Sequence, residues 1–100
     1  MAGGGDCEQY RHIIERYDWH TETAMRVCQI ESGGNPTAAN WNDSHQGCSG
    51  SFGLFQVGCL HGYSKEQLER PIFNINVAYK IYKKQGWWGG WKTTMNKLTS

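Results

Sequence analysis

One carboxylate lies where helical periodicity predicts an apolar side chain. Ala24, Val27 and Cys28 have the spacing of a buried stripe along a helix. The next position on that stripe is Glu31. Burial disfavours the charged form of a carboxyl group and raises its pKa. A carboxylic acid that stays neutral near pH 7 can protonate the leaving oxygen of a sugar linkage. Glu31 is therefore a candidate general acid, unless it turns outward at the end of its helix.

Short helices are predicted to position this residue. Capping residues and glycine or proline stops divide the chain into helices over residues 6–17, 21–32, 64–68, 74–85 and 91–98. The predicted N-caps are Asp6, Thr21 and Asn74, and the predicted ends are Gly33 and Gly86. The polar stretch 37–51 predicts a long loop or a small irregular hairpin, and the apolar run 52–57 is expected to be extended at its start. The predicted fold class is mainly α.

Size and charge exclude several classes of protein. The chain has 100 residues, which suit one domain, and we assign residues 1–5 to a linker and residues 6–100 to that domain. Ten basic and nine acidic residues give a net charge of +1, without a basic stripe for nucleic acid or an anionic membrane surface. No apolar run approaches the roughly 18–20 residues of a membrane span. No secretory signal is visible, so we expect any native export signal to lie outside this sequence. We expect a monomer.

The cysteines indicate an oxidising compartment. Their number is even and the chain is short, which favours disulfides over free thiols. Three pairings are possible for Cys7, Cys28, Cys48 and Cys59. We favour Cys7 with Cys28 and Cys48 with Cys59, and buried free thiols are the alternative. The chain has no C-x-x-C pair and its histidines lack ligand spacing, so we predict neither a metal site nor a cofactor.

Three segments carry short motifs in a fixed order. Residues 31–38 are Glu-Ser-Gly-Gly-Asn-Pro-Thr-Ala, residues 50–57 are Gly-Ser-Phe-Gly-Leu-Phe-Gln-Val, and residues 71–78 contain a Pro, an Asn-Ile pair and an Ala. Their order and spacing resemble the three motifs of the soluble lytic transglycosylase family. Those motifs are Glu-Ser-Gly-x-Asn-Pro-x-Ala, then Gly-x-x-Gly-Leu-x-Gln-hydrophobic, then Pro followed by Asn-Ile and a small helix residue. The resemblance covers about residues 28–85.

This resemblance implies a lysozyme-like α+β fold, mainly helical and divided by a substrate cleft. It implies cleavage of the β-1,4 bond between N-acetylmuramic acid and N-acetylglucosamine in the glycan strands of peptidoglycan. The single acid/base of the family carries over to Glu31. Gln56 occupies a cleft-lining position, where it contacts substrate, orients groups around Glu31, or only caps backbone groups. A side chain at Gly53 would obstruct the backbone or the sugar.

The sequence departs from the family in its C-terminal part. The Ala-Tyr-Asn-Ala-Gly motif that usually follows the third motif is absent, and Trp87, Trp88 and Trp91 stand in roughly that region. These rings are candidates for stacking on sugars, with core packing as the alternative for at least one of them. The chain is also short for a catalytic core, so outer sugar subsites are expected to be missing.

The second carboxylate of most glycosidases has no clear equivalent. Animal-type lysozymes begin a motif similar to the second one with Asp, and here that position is Ser51, a candidate substrate contact. Lytic transglycosylases also lack this carboxylate and form a 1,6-anhydro product through the substrate's own C6 hydroxyl. Goose-type lysozymes instead carry a water-activating Asp in a loop, at a spacing similar to that of Asp43. Asp43 could therefore support inverting hydrolysis, or it is an ordinary turn residue.

Two rival classes explain parts of this pattern. A non-catalytic glycan-binding module would use the same cleft but would not need an inward-facing acid. A small disulfide-linked structural protein would explain the cysteines but not the motifs. We favour the transglycosylase, acting in the extracellular space or the cell envelope, where both peptidoglycan and disulfides are found.

Overall fold

The computed structural model describes residues 6–45, 48–86, 88 and 91–99, and only the backbone of residues 43–45, 92, 93 and 99. The helices are a 3-10 turn Cys7–Tyr10, α1 Arg11–Ile14, α2 Thr21–Ser32, a 3-10 turn Cys59–His61, α3 Lys65–Leu68, α4 Pro71–Gln85 and α5 Lys92–Thr99. The strands are β1 Ala39–His45, β2 Cys48–Phe52 and β3 Val57–Gly58. The fold is mainly α with one small sheet, as the sequence predicted. Among the described helices, none combines the length and apolar character that crossing a membrane requires.

The N-terminal segment is attached to α2 by a disulfide between Cys7 and Cys28. Asp6 caps the first turn as predicted, because its Oδ1 accepts a hydrogen bond from the backbone N–H of Glu8 at 2.9 Å. The N-cap of α2 is His20 and not the predicted Thr21. Its Nδ1 accepts from the N–H of Thr23, so the imidazole supplies the acceptor that a helix start needs.

The polar stretch after α2 forms a hairpin, which was one of the two predicted alternatives. Strands β1 and β2 pair antiparallel, and β2 pairs with β3 in the same way, in the order β1-β2-β3. The register of β1 shifts between Asn40 and Ser44. A disulfide between Cys48 and Cys59 joins β2 to the turn that follows β3. Both disulfides favoured from the sequence are therefore present.

Helix α4 begins earlier than predicted. It starts at Pro71 with Arg70 as N-cap, so the predicted N-cap Asn74 lies inside the first turn and is fully buried. Proline suits this first position because its missing N–H would have no partner there and its φ is already helical. The side chain of Asn74 is thereby available for tertiary contacts. Gly86 ends the helix as predicted.

The core is built around an aromatic cluster. The Trp19 ring lies between Phe55 and Trp88, with ring centroids 5.4 and 5.3 Å away. Its indole N–H donates to the carbonyl of Ile14 at 2.8 Å, which satisfies the polar atom of a buried ring. Trp91 contacts both Phe55 and Trp88. The cluster connects the C-terminal segment to the turn between β2 and β3.

Candidate active site

Glu31 lies in the last turn of α2, next to the end of the helix. The predicted stripe of Ala24, Val27 and Cys28 is fully buried, and Glu31 continues it as a half-buried residue. Its Oε2 accepts a hydrogen bond from the hydroxyl of Thr94 on α5. The carboxyl group is thus partly removed from solvent and held by a buried side chain, and it has not turned outward as the alternative supposed.

The chain leaves the helix immediately after Glu31. Gly33 has φ +64° and its N–H donates to the carbonyl of Gln29 at 2.9 Å, which closes the helix in a conformation that glycine adopts without strain. Asn35 then accepts hydrogen bonds from the N–H and the hydroxyl of Thr37, both at 3.0 Å. The first motif therefore encodes a helix end and a tight turn directly after the candidate acid.

The first and second motifs meet at the carbonyl of Ala38. This oxygen accepts from the N–H of Gly53 at 2.9 Å and from Nε2 of Gln56 at 3.0 Å. Nε2 of Gln56 also donates to the carbonyl of Gly53 at 2.9 Å. Both amide hydrogens of Gln56 are therefore used on the backbone, which is the capping role left open above. A contact between Gln56 and a sugar would have to use Oε1.

Asn74 connects the third motif to the second. Its Oδ1 accepts from the N–H of Phe55 at 2.9 Å, and its Nδ2 donates to the carbonyls of Phe52 and Leu68, both at 3.0 Å. Gly53 has φ +85°, and a Cβ there would lie 2.1 Å from Nδ2 of Asn74. The obstruction predicted at Gly53 therefore comes from the backbone and this amide. The three motifs form one hydrogen-bonded unit.

The tryptophans of the C-terminal segment lie in the core where they are described. Trp88 is 1% exposed and Trp91 is 6% exposed, and the indole N–H of Trp91 donates to the carbonyl of Phe55 at 2.8 Å. This is the packing alternative, because a ring with so little exposed surface cannot receive a sugar without rearrangement. Trp87, the third candidate, lies outside the described residues.

The remaining predicted residues lie on the sheet. Ser51 is on β2 and is 2% exposed, paired across the strands with Asn40 and Gly58. Asp43 lies in β1 and not in a turn, within the segment where the strand register shifts. Its side chain is outside the described part of the chain.

Two residues near these elements were not singled out from the sequence. Thr94 is 4% exposed and binds Glu31, but a threonine in a polar helix gives no sequence signal of such a contact. Trp41 on β1 is 60% exposed, and its ring contacts Phe52 edge-on with centroids 4.9 Å apart. A tryptophan within an otherwise polar stretch was the available signal for Trp41.

Three exposed carboxylates of the described chain, Glu8, Asp18 and Glu22, have a lowered pKa. Hydrogen bonds from Arg11 lower the pKa of both Glu8 and Glu22. The pKa of Asp18 is lowered chiefly by the hydroxyl of Tyr79, with Lys83 adding a favourable charge. Groups held ionised in this way are poor proton donors.

We also searched the described residues for a metal site and for cavities near Glu31. No cluster of His, Cys, Asp and Glu among the described residues could hold a metal ion. A cavity of about 510 Å³ lies beside Tyr17, Arg70 and Phe73, and another of about 530 Å³ beside Leu60 and Lys84. Neither is lined by Glu31. We therefore place the candidate site by its hydrogen-bonded motifs.

The helix that carries Glu31 is followed along the chain by a small antiparallel sheet, and helices α3 to α5 come after it. The family model described as lysozyme like domain matches residues 17–93. The chain belongs to this family, which confirms the lysozyme-like resemblance inferred from the motifs. Comparison with curated proteins and comparison with solved structures each returned no match.

Proposed function

We propose that this domain cleaves the β-1,4 bond between N-acetylmuramic acid and N-acetylglucosamine in peptidoglycan, with Glu31 as the acid/base. The observation that carries the proposal is the half-buried Glu31 carboxyl, bound to a buried hydroxyl at the end of a helix within the three joined motifs. Membership of the lysozyme-like family supports peptidoglycan as the substrate class.

The favoured reaction is a lytic transglycosylation. Glu31 first donates its proton to the oxygen of the scissile bond, and the N-acetylglucosamine chain leaves with that proton. The substrate's N-acetyl group stabilises the positive charge on the muramic acid ring. Glu31, now a carboxylate, takes the proton of the C6 hydroxyl as that oxygen attacks C1. The product is a 1,6-anhydro end, and Glu31 has its proton again.

The sheet supports a mechanism with one carboxylate. The position where animal-type lysozymes have an Asp is the buried Ser51. A serine cannot stabilise an oxocarbenium ion by charge and is not a base for water. When the C6 hydroxyl of the substrate attacks, the protein does not need a second carboxylate to stabilise the oxocarbenium ion or to activate water.

The second candidate is inverting hydrolysis with Asp43 as the base. It is favoured by the irregular register of β1 between Asn40 and Ser44, because strand bulges often redirect a side chain beside an active site. Asp43→Asn separates the two reactions. Transglycosylation predicts a nearly unchanged rate, and hydrolysis predicts a loss of at least about a hundredfold.

Substrate binding is proposed for the exposed surface near the hairpin. The Trp41 ring offers a flat apolar face of the kind that sugars stack on, and Oε1 of Gln56 is a possible acceptor for a sugar hydroxyl. Of the residues predicted from the sequence, we retain Gln56 for this role. The domain is proposed to act as a monomer on glycan strands outside the cytoplasm, in agreement with its two disulfides.

The test compares Glu31→Gln with Glu22→Gln on purified sacculi. Both variants replace one glutamate of α2, but Glu22 is exposed and paired with Arg11. We expect Glu31→Gln to lose at least about a thousandfold in the release of soluble fragments, and Glu22→Gln to retain nearly all activity. Unchanged thermal unfolding would show that both variants fold. Binding of sacculi without any release by the wild type would favour the glycan-binding module instead.

A further inference from the structure

The hydroxyl of Thr94 is a second component of the Glu31 site, contributed by a segment outside the three motifs. Thr94 lies on α5, sixty-three positions after Glu31 in the chain, and is 4% exposed. Its Oγ1 donates to Oε2 of Glu31. A buried hydroxyl must find its hydrogen-bond partner within the protein, and here the structure gives it the candidate acid as acceptor.

The direction of this hydroxyl is fixed by packing. Threonine is β-branched, so few side-chain rotamers fit within a helix. Trp91 precedes Thr94 by one helical turn and is held by its own hydrogen bond to the carbonyl of Phe55 at 2.8 Å. Trp91 immediately precedes α5 and Thr94 lies near the start of this helix, and both residues are buried. Helix α5 packs directly against α2, which carries Glu31.

The contact with Thr94 restricts the Glu31 side chain. Glutamate has three side-chain torsions and a large rotamer entropy, and Glu31 is next to the end of its helix. A hydrogen bond at one carboxyl oxygen fixes the plane and the direction of the group. Small displacements of a catalytic group can reduce a rate by a large factor.

We infer that Thr94 is a positioning residue that orients the Glu31 carboxyl for proton transfer, without itself touching the substrate. The inference rests on the proposed function, and it extends the site to α5. It also assigns a role to the part of the sequence that departs from the family motifs. Thr94→Val is the decisive variant because valine keeps the shape and the β-branch and removes only the hydroxyl.

The kinetic test uses Thr94→Val and Thr94→Ser on soluble fragments of peptidoglycan. We expect Thr94→Val to lower kcat about tenfold and to change KM by less than about twofold, since ground-state binding does not involve this contact. Thr94→Ser restores the hydroxyl and should return kcat to within about threefold of the wild type. A merely structural role would lower kcat only in proportion to unfolded protein, so thermal unfolding of each variant is measured in parallel.

A second measurement separates failure of this inference from failure of the proposed function. NMR couplings of the Glu31 side chain report its rotamers whether or not the enzyme turns over. We expect one dominant rotamer in the wild type and in Thr94→Ser, and rotamer averaging in Thr94→Val. Unchanged couplings in Thr94→Val, or an unchanged kcat with folded protein, would overturn the inference. Averaged couplings with no activity in the wild type would support the positioning contact and refute the proposed function.

Discussion

The helical side of the candidate site and its β-hairpin side are built differently. On the helical side, Glu31 is half-buried and bound to Thr94, and Asn74 holds the turn after β2 with three hydrogen bonds. On the hairpin side, Trp41 is 60% exposed and the register of β1 is irregular. The difference indicates a division of work. In the proposed function, the buried side holds the catalytic carboxyl group in a fixed direction, and the exposed side binds the glycan strand.

The largest effect on stability is expected when the hydrogen bonds of Asn74 on the buried side are removed. Asn74→Ala leaves the N–H of Phe55 and the carbonyls of Phe52 and Leu68 without their partner, all in a buried environment. We expect the free energy of unfolding to fall by about 3–5 kcal/mol. Urea denaturation measures this loss.

A matched control lies on the same helix. Asn76 is half-buried and donates one hydrogen bond, to the hydroxyl of Tyr17 at 3.1 Å. Asn76→Ala should therefore cost about 1 kcal/mol. Equal losses for Asn74→Ala and Asn76→Ala would show that the three motifs are not joined through Asn74.

The next largest loss of stability is expected when the disulfide of the hairpin is removed. Replacing both Cys48 and Cys59 by Ser removes the bridge between β2 and the turn after β3. The lost constraint on the unfolded chain predicts a decrease of about 3 kcal/mol in the free energy of unfolding. In the fraction that remains folded, KM should rise more than kcat falls, because the hairpin is the proposed binding surface. A decrease in kcat with an unchanged KM would assign chemistry to the hairpin and contradict the comparison.

A smaller effect is expected from the exposed ring itself. Trp41→Ala should raise KM about five- to tenfold with little change in kcat, as expected for loss of one aromatic stacking contact. Leu60→Ala is the control, since Leu60 is also an exposed apolar residue at 50%. Steady-state rates on soluble glycan fragments measure both. If Trp41→Ala and Leu60→Ala behave alike, the Trp41 ring is not a sugar contact.

The smallest effect is expected at the possible second carboxylate. Asp43→Asn should change the rate of fragment release by less than about twofold if Glu31 acts without a carboxylate partner. Ser44→Ala, at the neighbouring position of β1, controls for disturbance of the strand. A large loss of activity in Asp43→Asn but not in Ser44→Ala would identify Asp43 as the general base.

The sequence predicted the buried side better than the exposed side. The apolar stripe leading to Glu31 and the helix end at Gly33 were predictable, because they depend on local periodicity and backbone geometry. The number of cysteines predicted disulfides but left three pairings open, and the structure has the pairing that was favoured. The start of α4 was predicted wrongly at Asn74, because a buried asparagine and a helix cap are alike in sequence. Only the fold shows that this amide binds the turn after β2.

The C-terminal part was least predictable, because its residue types serve more than one structural role. Aromatic residues serve in cores and in sugar sites, and composition does not separate these uses. Trp88 and Trp91 were candidates for stacking, and the structure places both in the core. The hydrogen bond between Thr94 and Glu31 requires that α5 packs against α2, and no local sequence pattern predicts this packing.

The central claim is that Glu31 cleaves peptidoglycan without a second carboxylate from the protein. The most direct test is the mass of the muropeptides released from purified sacculi in water labelled with heavy oxygen. Transglycosylation by Glu31 predicts products lighter by one water than those of hydrolysis, with no heavy oxygen at the new ends, and none of these products with Glu31→Gln. Heavy oxygen incorporated at the new ends would contradict it.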